Sequence, residues 1–480
     1  MKNNLLHWSI GVWLLVLMYS CESDSVMETM HICTTEQTPW QIIQKESIIN
    51  HRNRYELSID TLKKQQQIKG FGACFNELGW TSLSMLSDKD KNDIIKELFE
   101  PDFGANFTIC RMPLGANDFS RNWYSYNEVK DDFNMYNFSI DNDYATLIPF
   151  IKSAQEYNPD LKIWASPWCP PSWMKHNLHY ASAYTGDNYK EAYRNGLPKD
   201  KIGYEGTDMF IMQPEYLQAY ALYFKKFIQA YRSEGINIFA VMPQNEFNSA
   251  QIFPSCCWTA KGLSTFIGDY LGPALMNEKV EIMLGTVERA NYLLVDSVLK
   301  HPTAGRYICG VGFQWAGKGA IANVRKRYPD LPLYQTEQEC GNGKNDLDGL
   351  KHSWGLLKHY IDNGVSVYDY WNISLLKGGI SRWGWAQNSL VVVDPKNKSY
   401  SYTLEYYLMK HISHFVKPGA YNLSVSGNAG TFSLAFENPD RSIIVVIMET
   451  EGKDKNVSIM SNGESKTFFI KANSINTIKL

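Results

Sequence analysis

Short apolar, β-branched runs recur along this chain, and amphipathic stretches of helical period separate them. Eight runs stand out: 68–75 (IKGFGACF), 107–113 (FTICRMP), 161–167 (LKIWASP), 238–244 (IFAVMPQ), 281–287 (EIMLGTV), 307–313 (YICGVGF), 332–337 (PLYQTE) and 365–371 (VSVYDYW). They are apolar on both faces, as strands of a parallel sheet covered by helices should be. Residues 213–234 (QPEYLQAYALYFKKFIQAYRSE) read as one of the intervening helices, capped at Gly235. Eight strand–helix alternations over about 330 residues predict an α/β fold, a (β/α)8 TIM barrel with insertions. A doubly wound open sheet is the competitor, but neither G-x-G-x-x-G nor G-x-x-x-x-G-K-[ST] occurs. Beyond about residue 400 the pattern changes to short strands split by Asn, Gly, Asp and Ser: 431–436, 443–449, 455–459 and 466–470. These predict a β-sandwich, which the strand-like residues 40–62 join from the other end of the chain. The expected layout is N-terminal sandwich strands over 39–64, the barrel over 65–400 and the C-terminal sandwich over 401–480.

Residues 1–20 (MKNNLLHWSIGVWLLVLMYS) carry one early Lys and an apolar stretch too short to span a bilayer comfortably. They read as a lipoprotein-type signal peptide ending in Leu17-Met18-Tyr19-Ser20-Cys21, with an ordinary cleaved signal as the alternative. Residues 21–38 are polar and read as a tether. The expectation is an exported, lipid-anchored bacterial protein, periplasmic or on the outer-membrane or cell surface, touching the membrane only through Cys21. No later run approaches the ~18 apolar residues of a membrane span.

Composition narrows the chemistry. Lys+Arg 47 against Asp+Glu 50 leaves a net charge of −3, which offers no drive toward nucleic acid. Aromatics are abundant, with 14 Trp and 29 Tyr, and such rings stack on sugar faces as well as filling cores. The nine cysteines show no C-x-x-C spacing, so no zinc site is expected. Cys74, Cys110, Cys169, Cys309 and Cys340 lie in or beside apolar segments and read as buried thiols. Cys256-Cys257 is a vicinal pair, read as two reduced thiols in preference to a disulfide. No Asp/Asn-rich loop or His cluster suggests a metal, and no cofactor or oligomeric partner is implied.

Barrel active sites lie where strands end and βα-loops begin. There the fourth run ends in Gln244-Asn245-Glu246 and the seventh in Gln335-Thr336-Glu337. The second carries Arg111 with Asp118 just beyond, the third ends at Ser166-Pro167-Trp168, and the eighth ends in Asp369-Tyr370-Trp371-Asn372. A lone Glu at a strand end is usually solvated or salt-bridged. Two of them, 91 residues and about three βα units apart, fit glycoside hydrolysis by a carboxylate pair. Glu339 rivals Glu337, while His176, His179 and His352 read as structural. Residues 180–210 form an insertion expected to wall the site, with Trp383 and Trp385 on its far side.

At these residues the chain resembles glycoside hydrolase family 30, which includes the lysosomal glucosylceramidases. RMPLGANDFSRNWYSYNEVKDDFNMYNFSID (111–141) and ASPWCPPSWMKHN (165–177) are similar to two blocks of that family. GFGACFNE (70–77), DYWNISLLKGG (369–379) and HISHFVKPGA (411–420) add to the likeness, which spans about 66–480. The resemblance implies a barrel with a sandwich built from both chain ends. It implies Glu246 as acid/base and Glu337 as nucleophile of a retaining double displacement. It also assigns Asp118, Trp168, Asn245 and Trp371 to sugar contacts, Arg111 to orienting the nucleophile, and Gln314 to the substrate-binding set. Three departures stand out: Phe247 follows Glu246 where Pro is frequent, Gln314-Trp315-Ala316 replaces His-Trp-Tyr, and Glu339 is an extra acid. The implied substrate is a carbohydrate with β-glucosidic links, either a β-glucan such as β-1,6-glucan or a glucosylceramide-like glucoside. A β-xylosidase or xylanase of the same family, and a non-catalytic glycan-binding lipoprotein, are the alternatives.

Overall fold

A computed structural model describes residues 29–44 and 54–480. The signal-peptide and Cys21 expectations therefore lie outside the described residues. Each of the eight runs forms a strand: Gly70–Cys74, Ile109–Pro113, Lys162–Ser166, Ile238–Val241, Glu281–Val287, Ile308–Gln314, Leu333–Glu337 and Val365–Asn372. Neighbours pair in parallel in chain order, and the eighth closes on the first through Val367–Gly70 to Asn372–Cys74. Helices fill the crossovers because a parallel connection must return across the sheet face. The longest, Pro214–Ser233, opens on Pro and ends before Gly235, whose φ of +77° is a left-handed turn that glycine adopts without Cβ strain.

The other unit is a nine-stranded sheet drawn from both chain ends, with Arg54–Gln67 between Lys455–Ser461 and Tyr421–Ser426. Alternation along its strands serves two cores. Ile443, Val445 and Ile447 pack with Leu57, Val457 and Phe468 inside the sandwich. Ile444, Val446 and Met448, on the opposite face, join the large core shared with the barrel. The helix Leu404–Ser413 seals the junction, where His411 lies buried between Thr477 Oγ1 (2.9 Å) and Thr34 Oγ1 (2.8 Å).

Two sequence expectations need correction here. Met30–Thr34, read as tether, is a buried strand paired antiparallel with Ile475–Lys479. Its polar flanks hide a short apolar core that makes sense only beside a partner more than 440 residues away. Cys309, read as a buried thiol, is exposed at the N-terminal end of its strand, whereas Cys256 and Cys257 are both buried free thiols.

Candidate active site

Alternation along the barrel strands stacks inward-facing residues in layers. A lower layer is apolar, with Ile109, Trp164, Met283, Tyr334 and Val367 buried together. Two residues further along the same strands stand Arg111, Ser166, Thr336 and Asp369, a polar layer that a simple core would reject. Asp369 remains inside the barrel, its Oδ2 accepting from Trp164 Nε1 at 2.8 Å.

Arg111, fully buried, organises the layer. Its Nη1 donates to Glu337 Oε2 at 2.9 Å and to the Thr336 carbonyl at 3.0 Å. Its Nη2 donates to Asn245 Oδ1 at 2.7 Å and to Ser166 Oγ at 2.9 Å. The guanidinium lies over the Trp168 ring, 4.3 Å from its centroid. A planar cation with five donors can meet all these partners at once, which an ammonium cannot.

Gln314 joins the two carboxylates. Its Oε1 accepts from Thr336 Oγ1 at 3.0 Å, which turns Nε2 the other way. Nε2 then donates to Glu246 Oε1 and to Glu337 Oε2, each at 3.1 Å. Those two oxygens therefore lie no farther apart than twice that distance. A single amide group thus spans the gap between the two carboxylates.

The two acids differ in electrostatics. Burial, and then the negative charge of Glu337, push the Glu246 carboxyl up to about 7. Burial raises Glu337 as well, but Arg111 and the Trp315 indole N–H, 3.1 Å from Oε1, oppose it. Only Glu337 has a cation within hydrogen-bonding distance, so Glu246 is the acid that keeps its proton at higher pH. Both Glu246 and Trp315 hold a left-handed backbone with φ of +47°. Such strain costs on the order of 1–3 kcal/mol and persists where surrounding contacts enforce it. For Glu246 those contacts include its N–H to Thr286 Oγ1 at 2.9 Å.

A cavity of about 280 Å³ opens above this layer. Asp118, Trp168 and Asn245 line it together with Glu246 and Glu337. Asp118 is raised well above the usual carboxylate range, by burial first and then by Glu337 and Glu246, and its Oδ1 has no partner among the described residues. The Oδ1 of Asn245 accepts from Arg111, from Thr286 and from Gln314, so its amide nitrogen is the group left for a ligand. Buried, closely spaced carboxylates of unequal acidity beside unpartnered polar atoms can perform displacement at an acetal carbon.

The family model for the glycosyl hydrolase family 30 TIM-barrel domain matches residues 68–416, and that for the family 30 β-sandwich domain matches 419–478. The chain belongs to glycosyl hydrolase family 30. The family 30 chain is 26% identical over 431 residues to the lysosomal acid glucosylceramidase of Mus musculus, covering 84% of this chain and 79% of that protein. It is 27% identical over 431 residues to endo-1,6-beta-D-glucanase neg1 of Aspergillus fumigatus, covering 85% and 84%. The solved structure of the endo-beta1,6-glucanase BT3312 shares the fold, with a TM-score of 0.77 at 22% identity over 94% of this chain and 99% of that one.

The structure sorts the expected site residues of this glycosidase-family chain. Glu246, Glu337, Asp118, Trp168 and Asn245 meet in one cavity. Arg111, Gln314 and Trp371 stand behind its wall, each fully buried. Trp371, assigned to sugar contact by the resemblance, is fully buried with Trp168 at 5.3 Å and Arg111 against its ring, and its indole N–H has no partner among the described residues. The departures also find their places. Gln314 is the bridge just described. Phe247 is buried, and its carbonyl accepts from Trp258 N at 2.7 Å. Glu339 points away to Lys318 at 2.5 Å and His352 at 3.3 Å; burial pushes its carboxyl up, but these two partners outweigh that and hold it low.

Several wall residues escaped the sequence reading: Trp315, Gln251, Phe253, Glu288 and Arg289. Gln251 Nε2 approaches Glu246 Oε2 at 3.3 Å. For Glu288-Arg289 a signal existed, since they directly follow the fifth strand. The insertion 180–210 contributes no wall residue; it buttresses the loop after the fourth strand through Ala183 N to Gln251 O at 2.8 Å. Trp385 lines the cavity, whereas Trp383 is buried against Trp123 at 4.7 Å.

Proposed function

We propose that this family 30 protein is a retaining β-glucosidic hydrolase acting on a β-glucan such as β-1,6-glucan, with Glu337 as nucleophile and Glu246 as acid/base. The carrying observation is the shared Gln314 amide, which donates to two buried carboxylates of unequal acidity, the pair that a double displacement needs side by side. Glu337, kept anionic by Arg111, attacks the anomeric carbon while protonated Glu246 donates to the departing oxygen. The bond from sugar to leaving group breaks and an ester to Glu337 forms. That ester carries no charge, so the repulsion that raised Glu246 disappears and Glu246 takes a proton from the incoming water. Attack by this water releases the sugar with its configuration retained. Asp118 and the Asn245 amide nitrogen receive sugar hydroxyls, while Arg111 and Gln314 position the carboxylates from behind.

An intact pair weighs against the pure glycan-binding reading, because a binder has no use for a buried acid matched to a buried nucleophile. Likeness to the Aspergillus fumigatus endo-1,6-beta-D-glucanase over most of both chains supports a glucan substrate. The Leu17-Met18-Tyr19-Ser20-Cys21 segment supports export with a lipid on Cys21, which incorporation of labelled fatty acid into wild type but not Cys21→Ala would test.

The test of activity is product analysis on β-1,6-, β-1,3- and β-1,4-glucans, xylan, glucosylceramide and aryl β-glucosides, with Glu337→Gln as the blank. The expected result is gluco-oligosaccharides from one glucan, released as the β-anomer before mutarotation. Initial release of the α-anomer would refute the retaining assignment. Exclusive action on xylan or glucosylceramide would replace the substrate.

A further inference from the structure

Around the barrel mouth the cavity wall divides by strand. Asp118, Trp168 and Glu337 come from the ends of the second, third and seventh strands and Gln387 from the long loop beyond the eighth, while Ser249, Glu288, Arg289 and Ala316 follow the fourth, fifth and sixth. Glu246 belongs to this second half. A general acid must reach the departing oxygen, so the half that carries it is where the leaving group sits.

That half contains a carboxylate the double displacement does not use. Glu288 is 1% exposed and lines the cavity. Its Oε1 accepts from Asn248 N at 3.1 Å, whereas Oε2 has no partner among the described residues. An unpaired buried carboxyl oxygen is destabilising unless a ligand supplies its partner. Burial and then the charge of Glu246 push the Glu288 carboxyl up to about 8, so near neutral pH it carries a proton and can donate as well as accept.

Its neighbours are built for a polar guest. Arg289 donates to Ser249 Oγ at 3.0 Å and pairs with Glu205, so the 180–210 insertion fixes its position. The loop carrying Ala316 lies directly over Glu288, because a Cβ on Gly317 would meet the Val287 carbonyl oxygen at 1.9 Å and Glu288 Cα at 3.3 Å. Ala316, next to Gly317, adds only a methyl group to the same cavity wall.

We infer that Glu288, with Arg289 and Ser249, forms a leaving-group subsite that selects a hydroxyl-bearing sugar over an apolar leaving group. The inference rests on the retaining-hydrolase reading above and deepens it by naming the substrate class on the leaving-group side.

The test compares wild type with Glu288→Leu, which removes both carboxyl oxygens at similar volume, on gentiobiose and on an aryl β-glucoside, the aryl substrate correcting for any effect of the freed Asn248 N–H on the shared machinery. Expected is a loss of kcat/KM on gentiobiose about tenfold larger than the loss on the aryl glucoside, as one missing hydrogen bond to a buried group requires. Equal losses on both, or no loss on gentiobiose, would overturn the subsite. A second measurement needs no variant: wild type turns over the aryl glucoside with gentiobiose or hexanol as competing acceptor. The glycosyl-enzyme should partition to the sugar acceptor in preference, and equal capture by hexanol would also overturn the subsite. Wild type that releases nothing from either donor or from any glucan of the panel above would instead refute the hydrolase reading on which the inference rests.

Discussion

Replacing Arg111 with Met removes the cation that faces Glu337 while roughly conserving apolar volume over Trp168. In wild type the pair is buried, with Arg111 unexposed and Glu337 5% exposed. Removing one partner of a buried pair costs about 3–5 kcal/mol, because the other charge is left uncompensated. For 480 residues, an unfolding entropy of roughly 2.1 cal/mol/K per residue converts that loss into a Tm drop of about 3–5 °C. The loss has a direction in pH. Without Arg111, burial raises Glu337 further above its value in the unfolded chain. Below the unfolded value both states hold the proton and the variant is spared the buried charge. Above it the unfolded chain ionises first, so stability falls with rising pH at up to about 1.4 kcal/mol per unit, until Glu337 itself ionises. Thermal melts of wild type and Arg111→Met between pH 4.5 and 8 measure this directly. The gap in Tm should be small at the acid end and widen toward pH 8. A gap of constant size across that range would refute the reasoning, since it would mean that Arg111 packs but does not neutralise Glu337.

The pH profile of kcat/KM on an aryl glucoside should be bell-shaped. Its alkaline limb should fall near 7, where Glu246 loses its proton, and its acid limb above the ordinary carboxylate value because Glu337 is raised; an alkaline limb above pH 9 would remove Glu246 as the acid. Glu246→Ala should lose roughly 10²–10⁴ in kcat on β-glucans yet still give a burst of aryl alcohol from activated glucosides. Stopped-flow absorbance reads that burst, and its absence would contradict the acid/base assignment. Trp315→Phe deletes one hydrogen bond to the Glu337 carboxylate, which is worth about 1.5–3 kcal/mol. The acid limb should therefore move up by about one to two pH units, and an unmoved limb would show that the indole N–H does not stabilise the charge.

Much of the architecture was legible because it is written in local periodicity. All eight barrel strands coincide with the runs read from the sequence, since strands buried on both faces are largely apolar. Glu246 and Glu337 were found for the converse reason, as acids at the ends of apolar strands have no place in a core. Where the reading failed, the missing information was a distant partner. Met30–Thr34 looks polar until Ile475–Lys479 is laid beside it. Gln251 sits on a loop whose composition says nothing about which way it turns, whereas Glu288 directly follows the fifth strand and only its burial in the fold sets it apart from a solvated acid.

The sequence by itself determined the class of fold, the end of the barrel that carries polar chemistry, and the pair of carboxylates that stand there. These follow from which residues tolerate burial, a property each segment carries alone. The tertiary structure decided which acid holds the proton, which residue joins the pair, and which side chains face the cavity instead of standing behind it. Those are properties of distance and desolvation between groups from different strands. Arg111, Gln314 and Glu337 lie far apart in the chain, and only closure of the barrel brings them within 3 Å or so of one another and out of water.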